Sequence, residues 1–101
     1  MLIVPLQPLP NQLVTVTLSE QVCKIAVYQK EQGLFLDLTV DNVTLLAGVI
    51  CENLNRIVRS IYIGFSGDLA FIDNQGSNDP EYTGLGSRWS LAYLTEAELL
   101  L

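Results

Sequence analysis

The residues best suited to chemistry in this chain are the oxygen donors of one polar loop, residues 73–81. Calcium binds several carboxylate, amide and carbonyl oxygens, and the Asp and Asn side chains of this loop could supply some of them. The acidic residues do not follow the spacing of a calcium-binding loop, however. We therefore interpret the segment as a solvated turn closed by hydrogen bonds from Asp and Asn side chains.

Two carboxylates of the same loop, Asp73 and Glu81, are the best candidates for an acid–base pair that would hydrolyse a glycoside. Both lie in a segment that reads as exposed, whereas burial is what raises the pKa of a catalytic carboxyl group. The chain contains no histidine, the commonest general acid or base and a frequent metal ligand. We predict that the protein is not an enzyme and has no catalytic residues, cofactor or metal ion.

The run Gly84-Leu85-Gly86-Ser87 contains part of a glycine-rich phosphate-binding fingerprint. A phosphate cradle needs a helix directly after the glycines, so that the helix N-terminus faces the anion. A strand is expected there instead. We interpret the glycines as a source of backbone flexibility before that strand.

Composition restricts the function further. The chain has 101 residues, of which 50% are hydrophobic and 16% charged, which indicates one folded domain, residues 1–101. So many apolar residues in a small domain indicate that another protein covers part of the surface. The formal net charge is −6, with only five Lys and Arg residues, so direct nucleic-acid binding is not expected.

The N-terminal residues and the cysteines bear on location. Residues 1–6 carry no basic segment, and no apolar run approaches the roughly 20 residues that span a bilayer. We therefore expect a soluble protein with no membrane insertion that is not secreted by the usual route. Cys23 and Cys51 lack metal-ligand spacing; we interpret them as buried free thiols, with a disulfide as the alternative.

Period-two alternation of apolar and polar residues dominates the chain and predicts strands. Short polar turns are expected at residues 19–21, 31–33 and 41–42, and Thr95 with Glu98 matches a helix capping box. The predicted fold class is all-β, a small antiparallel sandwich or barrel of about seven strands with a short C-terminal helical turn. The predicted strands are 2–6 (an edge strand), 13–18, 22–29, 34–40, 43–50, 57–65, 69–72 and one centred on Trp89.

One aromatic residue lies in a polar segment, where a core residue is not expected. Tyr82 lies inside the polar loop, where it either anchors a protein interface or covers the edge of the core. Exposed Tyr and Trp residues would also suit a carbohydrate-binding module. Trp89 is expected to share one strand face with Leu91 and Tyr93.

Three segments together resemble the small baseplate plug proteins of contractile-tailed bacteriophages, of the type found in a cyanophage baseplate. The first is Leu6-Gln7-Pro8-Leu9-Pro10-Asn11-Gln12, which leads into the Val/Thr-rich strand 13–18. The second joins the strand 61–65 and Phe71-Ile72-Asp73 to Asp79-Pro80-Glu81-Tyr82. The third is Gly84-Leu85-Gly86-Ser87-Arg88-Trp89 with Leu91-Ala92-Tyr93-Leu94-Thr95 and Glu98-Leu99.

This resemblance implies a structural protein of the virion, assembled in the host cytoplasm into the tail baseplate. It would pack as a plug against hub proteins at the tail tip and help close or organise the tube channel. Spike protein, tape-measure protein and further copies of the chain are additional expected partners. The alternative is a free-standing β-sandwich that binds a ligand or carbohydrate. Most contacts with hub subunits are expected from segments 2–11 and 74–88. The expected partner-binding residues are Leu6, Pro8, Pro10, Asp79, Pro80, Tyr82, Arg88 and Trp89.

Overall fold

Seven antiparallel strands form two sheets in a computed structural model of the chain, which describes residues 2–58 and 65–99. A 3-10 turn covers Tyr82–Gly84 before the last strand, and a short helix follows that strand. The elements are β1 (Leu2–Val4), β2 (Asn11–Leu18), β3 (Gln21–Lys30), β4 (Gly33–Val40), β5 (Val43–Ile50), β6 (Asp68–Asp73), β7 (Trp89–Leu94) and α1 (Glu96–Leu99).

The larger sheet is a meander in the order β2-β3-β4-β5. All three of its hairpins have two-residue turns, at residues 19–20, 31–32 and 41–42. The four residues of the first and third turns have positive φ angles, between 49° and 68°. Such turns match the right-handed twist of the paired strands. The Asp41 carboxylate adds a hydrogen bond from the backbone N–H of Val22 at 3.1 Å. Local turn chemistry thus sets the register of this sheet.

Alternation divides β2, β3 and β4 of the larger sheet into a core face and an outer face, as the sequence predicted, whereas β5 does not alternate regularly. Thr15, Thr17 and Lys24 are exposed on the outer face. The core face of β3 and β4 has no solvent exposure at six positions: Cys23, Ile25, Val27, Leu34, Leu36 and Leu38.

The smaller sheet has the order β1-β7-β6, with β1 as the predicted edge strand. β1 pairs with β7 in the register Leu2↔Tyr93 to Val4↔Leu91, a contact between the two ends of the chain. Trp89, Leu91 and Tyr93 lie buried on one face of β7, as expected. The two sheets share one hydrophobic core and form a sandwich.

The strand predicted at 57–65 is not confirmed. Residues 59–64 lie outside the described residues, and Ile57, Val58 and Phe65 are buried but belong to no strand. The flanking residues are instead organised by a buried carboxylate, Asp68, which accepts the Val58 N–H at 2.8 Å and the Arg56 Nε–H at 3.0 Å. This part of the core depends on side-chain hydrogen bonds that alternation does not reveal.

Two local predictions are confirmed. Thr95 and Glu98 form a reciprocal capping box: the Thr95 N–H donates to Glu98 Oε1 at 3.0 Å, and the Glu98 N–H donates to Thr95 Oγ1 at 3.3 Å. Cys23 and Cys51 are buried free thiols.

The helix that the described residues contain is far too short to cross a membrane.

Candidate functional site

Parts of the two segments predicted to contact a partner, 2–11 and 74–88, lie together at one end of the sandwich. This end, which we call the loop end, consists of residues 5–10 and 74–88. It lies where β6 finishes and β7 starts, since Asp73 pairs with Trp89 in the register of these strands. The segment 5–10 leaves β1 toward the same place, because Val4 pairs with Leu91.

An ion pair closes the base of the 74–88 loop. Arg88 donates from Nε to Asp73 Oδ1 and from Nη2 to Asp73 Oδ2, both at 2.9 Å. The Asp73 side chain has no solvent exposure, whereas that of Arg88 is 29% exposed. The Arg88 guanidinium holds the pKa of Asp73 well below its ordinary value, and the backbone N–H groups of Gln75 and Asn78 act in the same direction. Asp73 therefore stays ionised as the organising centre of the loop.

Further hydrogen bonds hold both arms of the loop. The Asn74 N–H donates to the carbonyl of Arg88 at 2.7 Å, which continues the strand pairing by one step. The Trp89 indole Nε1–H donates to the carbonyl of Asn78 at 3.1 Å. The Asp79 carboxylate accepts the N–H of Asn53 at 3.0 Å, which ties the loop tip to the segment after β5. Hydrogen bonds to the rest of the domain thus hold the loop at several points along its length.

Gln29 of β3 joins the two segments of the loop end. Its backbone N–H donates to the carbonyl of Pro10 at 2.8 Å. Its side-chain Oε1 accepts the N–H of Tyr82 at 3.1 Å. One residue of the larger sheet thereby sets the position of the N-terminal segment relative to the 3-10 turn.

The glycines of the loop allow close packing, a role that the sequence did not predict. Gly86 has a φ of +85°, and a Cβ atom there would collide with the carbonyl oxygen of Leu6. A Cβ atom on Gly84 would collide with the ring of Trp89. No helix follows the glycines, because β7 begins at Trp89.

The structure divides the eight predicted contact residues by exposure. Arg88 is half-buried, binds Asp73 and lies over the Trp89 ring, with its Cζ atom 4.5 Å from the ring centroid. Tyr82 is half-buried and packs against the core, so it covers the core edge while part of its surface stays accessible. The buried members are Leu6, Pro80 and Trp89, and the exposed members are Pro8, Pro10 and Asp79.

The carboxylates of the loop are not arranged for hydrolysis. The prediction that Asp73 is exposed is wrong, because the Arg88 pair draws it into the protein, while Glu81 is exposed. A catalytic acid needs a raised pKa, and the pKa of Asp73 is lowered. Among residues 2–58 and 65–99 no group of three or more Cys, Asp or Glu side chains is placed to hold a metal ion.

Comparison with known families identifies the protein class. A family model described as cyanophage baseplate Pam3 plug gp18 matches residues 1–96. The chain belongs to this family. The predicted resemblance is therefore confirmed, and the protein is a structural component of a phage baseplate. No curated protein matches the chain.

Sequence reasoning missed three residues that build the loop end of this baseplate plug protein. Asp73 was read as exposed, Gly86 as flexible, and Gln29 as an ordinary strand residue. A usable signal existed for Asp73, because a buried strand ends at this carboxylate and the next strand is preceded by Arg88. No local signal marks Gln29, since its partners lie far away in the sequence.

Proposed function

We propose that this baseplate plug packs against the hub at the tip of a contractile tail, through the loop end, and helps close or organise the tube channel. On this proposal the 101 residues fold as one domain, assemble in the host cytoplasm and remain in the virion. The chain acts by occupying a defined place among hub, spike and tape-measure proteins, without catalysis.

The observation that carries the proposal is the union of two segments at one end. Family membership makes a partner surface necessary, and the irregular backbone of the loop end is held in place by several hydrogen bonds. A preordered loop loses little conformational entropy when it docks, which favours tight association. Strands supply the scaffold, and the loops carry the contact residues.

The exposed chemistry of the loop end suits a protein partner. Leu9 is 45% exposed between Pro8 and Pro10, which gives an apolar surface of restricted backbone. The accessible part of Tyr82 is the proposed anchor, since tyrosine is enriched among residues that dominate binding energy. Three buried residues contribute to the surface indirectly, by packing in the interior of the loop end: Leu6, Pro80 and Trp89. Arg88 contributes by holding the loop through Asp73.

The acidic character of the chain fits a position near the channel. A formal net charge of −6 repels nucleic acid, so DNA would pass a plug of this kind without binding to it. We propose no direct contact with nucleic acid.

A matched pair of variants tests the docking surface. Tyr82→Ala removes the proposed anchor, and Thr83→Ala changes the exposed neighbour in the same 3-10 turn. We expect Tyr82→Ala to reduce co-purification with the hub protein at least tenfold while the protein stays folded, and Thr83→Ala to retain it. Equal co-purification of both variants would reject Tyr82 as the anchor. Binding of the isolated chain to glycans, without affinity for any hub protein, would favour the carbohydrate-binding alternative.

A further inference from the structure

Leu54, in the segment that joins the two sheets, combines two unfavourable features. Its φ angle is 62°, in the left-handed region that a bulky side chain rarely adopts. Its side chain is also 67% exposed, and no large apolar side chain that the structure describes is more exposed. Because most of this side chain is in solvent, the fold of the single chain gains little from a leucine here.

The turn at this position requires a left-handed residue, but it does not require a leucine. The other non-glycine residues of the described chain with a positive φ are polar residues of hairpin turns: Ser19, Glu20, Asp41 and Asn42. Glycine and asparagine adopt this conformation at the least cost, and both sequence neighbours of Leu54 are asparagines. Residues in unfavourable backbone conformations concentrate at functional sites. The leucine therefore points to a role outside the single chain.

Hydrogen bonds fix the backbone that carries this side chain. The Leu54 N–H donates to the carbonyl of Phe71 in β6 at 2.9 Å. The side-chain Oδ1 of Asn53 accepts the N–H of Asp73 at 2.9 Å, and the Asn53 N–H donates to the Asp79 carboxylate at 3.0 Å. Asp79 belongs to the loop end, so Leu54 extends from a fixed turn beside that surface. A side chain held in this way loses little conformational entropy when it docks.

The surroundings of Leu54 are acidic. Glu52 lies two residues before it and is half-buried, and Asp79, bonded to the same turn, is exposed. The nearest cation in the sequence is Arg56, which donates to Asp68 at 3.0 Å and is thereby neutralised. The complement of this surface is an apolar pocket with basic groups around it.

We propose that Leu54 is a second anchor of this baseplate plug, and that it inserts into an apolar pocket rimmed by Lys or Arg residues on the hub subunit that the loop end contacts. The inference rests on the proposed function and adds to it an anchor and the chemistry of the partner surface. Insertion removes the exposed leucine from water and brings basic groups to the acidic turn. The cost of a left-handed leucine is then offset in the complex.

Leu54→Asn in the full chain tests the anchor through two measurements that should change differently. Asparagine tolerates the left-handed conformation but lacks the apolar side chain. The Tm should therefore equal or exceed that of wild type, while co-purification with the hub protein falls about tenfold or more. Leu54→Met keeps an apolar side chain of similar size and should retain binding. Leu13→Thr is the matched control, since Leu13 is a leucine with 66% exposure in β2, and it should also retain binding.

Three results would overturn the inference. They are normal hub binding by Leu54→Asn, an equal loss of binding by Leu13→Thr, and a Tm of Leu54→Asn below wild type, which would mean that the side chain packs within its own domain. Tyr82→Ala separates this inference from the proposed function. If Tyr82→Ala loses hub binding and Leu54→Asn keeps it, only the second anchor is rejected. A wild-type chain that does not bind the hub would reject both.

Ionic strength tests the chemistry of the partner surface. Added sodium chloride should weaken hub binding, because salt screens the attraction between an acidic and a basic surface. Glu52→Gln removes one negative charge beside Leu54 and should make this salt dependence shallower. Hub binding that is insensitive to salt, or equally sensitive in wild type and Glu52→Gln, would contradict the basic rim.

Discussion

Asp73 and Arg88 lie fifteen residues apart and join the two arms of the 74–88 loop through two hydrogen bonds of 2.9 Å. The two bonds are parallel contacts between a planar guanidinium and a carboxylate, the strongest form of this pair. Because Asp73 ends β6 and Arg88 precedes β7, the pair connects the core of the smaller sheet to the surface loop.

Removing the charge of this carboxylate should loosen the loop. Asp73→Asn keeps the size of the side chain but leaves the Arg88 guanidinium without its counter-charge and adds a buried NH2 group among hydrogen-bond donors. We expect a lower Tm and faster hydrogen exchange at the N–H groups of Gln75 and Asn78. Glu81→Gln is the control, because Glu81 is an exposed carboxylate of the same loop, and its Tm should change little. Equal Tm values for the two variants would contradict the role assigned to Asp73.

The same pair predicts how stability depends on pH. The Asp73 pKa is lower in the folded protein than the ordinary value of about 3.9. As the pH falls, the unfolded chain takes up the proton first, so the stabilisation is complete above about pH 5 and is lost as the pH falls below about 4. In urea unfolding, the difference in the free energy of unfolding between wild type and Asp73→Asn should be constant from pH 7 to 5 and should decrease toward pH 3. A difference that stays constant or increases at pH 3 would be inconsistent with this account.

Gly86 should not tolerate a side chain. Gly86→Ala forces a Cβ atom against the carbonyl oxygen of Leu6 in a left-handed backbone conformation, at a cost of about 2 kcal/mol or more. Gly76→Ala is a matched control in the same loop, since its new Cβ atom would lie 3.5 Å from Asp73 Oδ2, an ordinary contact. Urea unfolding should separate the two variants. A Gly86→Ala protein as stable as wild type would show that Leu6 does not pack here.

The two thiols should be inert in the folded protein. Burial raises the pKa of Cys51 to about 12 and also raises that of Cys23. Since the thiolate is the reactive form, modification by a disulfide reagent at pH 8 should be slower at both residues than in the urea-unfolded chain, and about a thousandfold slower at Cys51. Rapid labelling of either residue in the native protein would indicate that the core opens there.

The larger sheet was predictable because the residues that define its strands and turns are close together in the sequence. Alternation over residues 34–40 defines which face is buried, and the Asp41-Asn42 turn sets the register of the next strand. The smaller sheet was only partly predictable, since Leu2 pairs with Tyr93 near the other end of the chain. Alternation identifies such strands without identifying their partners.

The sequence predicted where the candidate site lies better than it predicted the contacts that build the site. The resemblance and the loop composition indicated segments 2–11 and 74–88, but polar residues in a loop normally read as exposed. Asp73 is buried because Arg88 and two backbone N–H groups replace its water, an arrangement that depends on tertiary structure. Trp89 reads as an interface residue by type, yet its ring lies in the core with 4% exposure.

Cryo-electron microscopy of the tail tip of the phage that encodes this protein tests the central claim most directly. The account predicts density for the chain at the end of the tube channel, with Tyr82 and the Pro8–Pro10 segment in contact with hub subunits. A baseplate that lacks the chain, or one in which the loop end faces open solvent while another surface meets the hub, would contradict it.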